Sequence, residues 1–80
     1  MSTNILSPVP GIFYRRPSPD EDVFVNEGDS VKAGDVIGLV EVMKTFYEIK
    51  AEADGIIAEI LVENEGLIEA GQTIATLTEE

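Results

Sequence analysis

The chain has 80 residues, 16 acidic against 5 basic side chains for a formal net charge of −11, and no Cys, His or Trp. A chain this short folds as one domain burying roughly 60% of the surface its unfolded form exposes, which leaves little core for a deep active-site cleft. The commonest zinc, haem, iron–sulfur and thiol chemistries are excluded with Cys and His, and so few cations argue against binding nucleic acid or an anionic membrane surface.

Residues 1–6 show no strand pattern and read as an N-terminal tail. Met1 to Ser7 lacks the basic start and apolar core of a signal peptide, and no run nears the roughly twenty apolar residues of a membrane span. A soluble, cytoplasmic domain is expected. Its apolar content of 44% is that of a folded globule, so the acidity does not imply disorder. Gly11 to Tyr14 is the first predicted strand. Pro17, Ser18, Pro19, Asp20, Glu21 and Asp22 follow, two prolines and three acids that remove ladder donors and keep the backbone exposed. This segment reads either as a protruding loop or as an ordinary connection. Further strands are predicted at Val23 to Val25, Ser30 to Lys32, Val36 to Val42, Thr45 to Ala51, Ile56 to Val62 and Thr73 to Leu77. Turns at residues 26–29, 33–35, 53–55, 64–66 and 70–72 carry Gly, Asn or Asp. So many short strands imply a small sandwich or barrel.

A shift of 37 residues superimposes Val25 on Val62, Val31 on Ile68, Ala33-Gly34 on Ala70-Gly71, Ile37 on Ile74 and Val40 on Leu77. Halves of this size cannot bury an apolar face alone, so they are expected to pack together about an approximate two-fold axis.

The segment from Val36 to Ala51 contains two strands with no glycine where the chain reverses. With Met43-Lys44 as a two-residue turn, Val42 faces Thr45, Val40 faces Tyr47, Gly38 faces Ile49 and Val36 faces Ala51, which assembles one nearly apolar face. Glu41, Glu48 and Lys50 then occupy the other. Such a turn favours Asn-Gly or Asp-Gly, and here it carries a thioether and an amine. Conflict between local preference and global pattern marks candidate functional positions, and Lys44 would be an exposed amine open to enzymatic acylation. The alternative is a solvated lysine that protects a sheet edge.

Glu41-Val42-Met43-Lys44 resembles the Glu-Ala-Met-Lys-Met signature around the biotinyl-lysine of biotin carboxyl carrier proteins, with Val42 and Thr45 where that signature has Ala and Met. Residues 7–14 and Pro17-Ser18-Pro19-Asp20 resemble the opening of the biotinyl domain of the bacterial acetyl-CoA carboxylase carrier, including its thumb. The resemblance covers residues 7–78 and leaves 1–6 and 79–80 as tails. It implies an all-β fold, a flattened barrel-sandwich of two four-stranded antiparallel sheets with quasi-two-fold symmetry and a protruding thumb, with both termini far from the Lys44 tip. It also implies a non-catalytic, metal-free carrier with biotin joined to Lys44 by a biotin protein ligase. Carboxybiotin would then pass from a biotin carboxylase subunit to a carboxyltransferase subunit. Glu41, Val42, Met43 and Thr45 would surround the attachment site, and the thumb from Pro17 to Asp22 would contact the biotin. Longer family carriers place a further region and a flexible linker before the barrel. Two alternatives stand beside this reading: a lipoyl carrier, whose lysine is typically flanked by Asp and Ala, and an unmodified acidic interaction module.

Overall fold

A computed structural model describes residues 2–79. Eight strands, β1 (Ser2–Leu6), β2 (Gly11–Tyr14), β3 (Ser30–Val31), β4 (Val36–Val42), β5 (Thr45–Lys50), β6 (Gly55–Ile60), β7 (Gly66–Ile68) and β8 (Thr73–Thr78), form two four-stranded antiparallel sheets. One sheet has the order β1-β8-β6-β3 and the other β5-β4-β2-β7. The inward positions of both build one core, in which Phe13, Ile5, Ile57, Ile74, Leu77 and Val40 are essentially inaccessible to solvent. This is the expected flattened barrel-sandwich.

Three local expectations are corrected. Residues 1–6 were expected as a tail, yet Ser2–Leu6 is an edge strand in register with β8, where Ile5 enters the core opposite Ala75. Val23 to Val25 is irregular; Val25 is buried, and the Phe24 N–H donates to the Arg15 carbonyl at 2.8 Å to close a loop instead of a ladder. Gly66–Ile68, expected to begin within the turn at residues 64–66 and to form no strand, pairs with β2. Elsewhere, strand ends at Lys32, Ala51 and Val62 lie one or two residues beyond the observed limits.

The two-fold relation extends further than a single offset. Gly34 and Gly71 both hold positive φ (95° and 82°), a conformation that costs glycine nothing, and each ends an equivalent turn. The Gly34 N–H donates to the Ala51 carbonyl and the Gly71 N–H to the Ser7 carbonyl, both at 2.8 Å. Lys32 N–H meets Asp35 Oδ2 as Glu69 N–H meets Gln72 Oε1, each at 2.9 Å. Residues 32–35 thus map onto 69–72 with the 37-residue shift, whereas Ala51 maps onto Ser7, a shift of 44. With the second shift β5 corresponds to β1 and β6 to β2, so the sheets are copies of one another. The shifts differ by seven, the length of the Arg16–Asp22 insertion.

Within the β4–β5 hairpin the register is as expected from Val42–Thr45 to Gly38–Ile49. A bulge between Val36 and Gly38 then pairs Val36 with Lys50, not with Ala51. Here the Phe13 ring occupies the space a Gly38 side chain would need, so the strand bends over the core with glycine at the contact. The expected apolar face is only partly covered. As an edge strand, β5 buries Ile49 alone and leaves Thr45 and Tyr47 exposed.

Candidate functional site: a lysine tip beside an aromatic cavity

Met43 and Lys44 form the two-residue turn between Val42 and Thr45, with φ of 50° and 66°. Positive φ at both central positions matches the right-handed twist of the strands, and for non-glycine residues it costs roughly 1–2 kcal/mol each. Met43 is 93% exposed, and Lys44 is exposed beside it. Long β4 and β5 strands carry this tip, so the amine is held clear of the body on a defined backbone.

Glu41 and Val42 are half-buried on β4, and Thr45 is exposed on β5. Glu41 does not face free solvent: its Oε1 accepts a hydrogen bond from the Tyr14 hydroxyl at 2.8 Å. That bond, partial desolvation, and the nearby charges of Glu41 and Glu65 raise the Tyr14 pKa above its ordinary value of 10.0. The Tyr14 ring packs against Phe46 with centroids 6.0 Å apart and planes tilted by 52°, a favourable edge-toward-face geometry.

The segment from Pro17 to Asp22 forms an irregular loop over this aromatic pair. It is braced internally. The Glu21 N–H donates to the Ser18 carbonyl at 3.1 Å, and Ser18 Oγ bonds Glu21 Oε2 at 3.2 Å. Between loop and sheet lies a cavity of about 440 Å³, lined by Arg16, Pro17, Ser18 and Pro19 on the loop side and by Tyr14 and Phe46 on the sheet side, with Asn64 and Glu65 at its margin. Asp20, Glu21 and Asp22 are exposed and stand outside that lining. Arg16 Nε is buried and has no hydrogen-bond partner in the protein.

The structure therefore brings the first half of the expected thumb to the hairpin through Phe46, two residues beyond Lys44. Tyr14, Arg16, Phe46, Asn64 and Glu65 were missed from sequence. Strand phase carried a signal for two of them: with Val40 and Phe13 inward, Glu41, Phe46 and Tyr14 must share the outer face. A second cavity, about 670 Å³ and lined by Arg15, Asn26, Glu27 and residues 60–63, contains no hairpin residue. Among the described residues no cluster of acids is arranged to hold a metal ion, and no helix is long and apolar enough to cross a membrane.

The family description "Biotin-requiring enzyme" matches residues 3–77. Similar curated proteins include the biotin carboxyl carrier protein of acetyl-CoA carboxylase from Porphyra purpurea, 46% identical over 76 residues and covering 91% of this chain and 48% of the relative. The protein of that name from Pseudomonas aeruginosa is 45% identical over 73 residues, covering 91% and 47%. The chain thus spans about half the length of these relatives. Among solved structures, Kluyveromyces lactis urea carboxylase aligns with a TM-score of 0.80 at 28% identity, over 98% of this chain and 6% of that one.

Proposed function

The chain belongs to the biotin-requiring enzyme family, and from that premise we propose that it is the biotin carrier domain of an acetyl-CoA carboxylase, with Lys44 as the modified residue. The observation that carries this reading is the exposed lysine at a turn whose backbone favours Asn-Gly: a side chain retained there against local preference is needed for its amine. A biotin protein ligase would activate the biotin carboxyl with ATP, and the deprotonated Lys44 Nζ would then displace the activating phosphate group, so that an amide forms, the nitrogen gives up a proton to solvent and the positive charge is lost.

The cavity under the thumb fits the attached group. Its volume lies within the range of about 300–1,000 Å³ common for small-molecule sites, and its aromatic walls suit an apolar ring. Tyr14, Phe46 and residues 16–19 would hold the group against the sheet, while Glu41 fixes the Tyr14 hydroxyl. Biotin supplies a ureido nitrogen that accepts and releases a carboxyl group. The chain contributes position: a tethered group reaches a biotin carboxylase and then a carboxyltransferase at an effective concentration that free biotin would not attain. Met43 and Thr45 flank the amine that the ligase must reach, and a cytoplasmic location belongs to the same reading.

Intact mass of the chain produced with an active biotin ligase tests this proposal. A biotin-sized increment is expected, and Lys44→Ala removes it. A lipoyl-sized increment instead, or no increment with either ligase, overturns it.

A further inference from the structure

The quasi-two-fold relation supplies an internal control for the surface. Both sheets meet the same folding demands on their outer faces, so a chemical difference between equivalent positions is not required by the fold. The difference is large. Across β7-β2-β4-β5 the outer face carries a directly opposed row of Leu67, Ile12, Glu41 and Phe46. Leu67 is 82% exposed and Phe46 56%. On the other sheet the positions equivalent to Leu67, Ile12 and Glu41 are Ser30, Ile56 and Thr78, also directly opposed. In the adjacent row, Thr76 and Asn4 stand where this sheet has Leu39 and Glu48. Ile12 and Ile56 are alike, and Leu6 on β1 is 47% exposed, so the difference lies at Leu67 against Ser30, Glu41 against Thr78, Leu39 against Thr76 and Glu48 against Asn4.

The apolar row ends one register step from the Val42–Thr45 pair that opens the Lys44 turn. At about 3.3 Å per strand residue and about 4.8 Å between strands, the row lies within the footprint of a standard-sized interface centred on the unmodified Lys44 amine. An enzyme acting on the end of a long attached arm need not cover the row. Charge decides between candidate occupants: a second copy with net charge −11 is repelled, whereas a basic surface is attracted to Glu41, Glu48 and Glu65. Resting on the carrier reading above, we propose that Leu67 and Ile12, with Phe46, form the docking face for the biotin protein ligase. The ligase side is apolar with a basic rim, and Leu67 inserts as its anchor.

Steady-state biotinylation of the full chain by a biotin protein ligase with ATP and biotin, followed by intact mass, tests the proposal. Leu67→Ser and Ile12→Thr each raise the KM for the carrier about tenfold, with kcat within about twofold, as expected for loss of an interface anchor that makes no transition-state contact. Ser30→Leu, which puts the same apolar side chain on the equivalent opposite position, leaves both constants unchanged. Calorimetric titration of the ligase with the unreactive Lys44→Arg chain shows the same loss of affinity on adding Leu67→Ser. Circular dichroism checks the fold, and Leu67→Lys on the exposed β7 position replaces Ile12→Thr if that variant unfolds. KM values within twofold of wild type for the face variants overturn the inference, as does an equal effect from Ser30→Leu. Sedimentation showing a wild-type dimer that Leu67→Ser dissociates overturns it in favour of a second copy. Labelled wild type with unchanged variants defeats this inference alone, whereas unlabelled wild type defeats the carrier reading with it.

Discussion

Lys44 occupies a backbone conformation that its side chain disfavours, as does Met43 before it. Replacing Met43-Lys44 with Asn-Gly relieves both positions and stabilises the fold by about 1–2 kcal/mol. The thermal midpoint rises accordingly, while the ligase no longer modifies the chain; a fall in the midpoint would show that the turn is not strained. Tyr14 gives a second residue-level outcome. With its folded pKa raised above 10.0, the folded state keeps a proton that the unfolded state has lost at pH values between the two. Stability from this group is therefore complete below pH 10 and declines as pH rises through the folded value. Ultraviolet titration of phenolate is expected to show a phase above pH 10 that Tyr14→Phe lacks, together with a shallower loss of thermal stability in that range. A lysine misfit was legible from the sequence, since turn preference depends on adjacent residues. The Tyr14–Glu41 bond was not, because it joins residues 27 positions apart and depends on register.

Legibility among the elements followed how local their causes are. Strands β2 and β4 were read to their observed ends because their apolar runs are bounded by Gly11 and the basic pair after Tyr14 in one case and by Asp35 and the Met43-Lys44 turn in the other. β1 escaped because its single buried apolar residue, Ile5, shows no alternation, and its partner strand lies at the other end of the chain. The 44-residue correspondence with β5 would have found it. The bulge at Val36/Gly38 depends on the Phe13 ring from another strand, which no local pattern announces. The thumb is the clearest case of an element added to a complete frame, since the second half closes without it. Deleting Pro17 to Asp22 leaves Arg15 and Phe24 three positions apart, and their existing 2.8 Å bond becomes the closing bond of a β-turn. The variant should melt within about 5 °C of wild type, a change of about 1 kcal/mol or less. Circular dichroism checks this, and collapse of the transition would make the segment a structural support. The same deletion removes the 440 Å³ cavity and with it the proposed rest site for biotin.

At the scale of the molecule, 16 acids on 80 residues and the lack of Cys and His suit a domain whose reactive group is attached, not assembled from side chains. The duplicated sheets have another consequence. Glu41 and Phe46 flank the Lys44 turn in one sheet, and the corresponding pair in the other is Thr78 and Ser2. Thr78 and Ser2 thus stand where the strands flanking a second hairpin tip would be. A circular permutant that joins Glu79 to Met1 through a Met-Lys dipeptide, and is opened in the exposed turn at Gly28-Asp29, would present lysines at both poles. Two biotin increments per chain in the intact mass would show that the architecture is intrinsically bipolar, while a single increment would show that docking reads only the apolar pole.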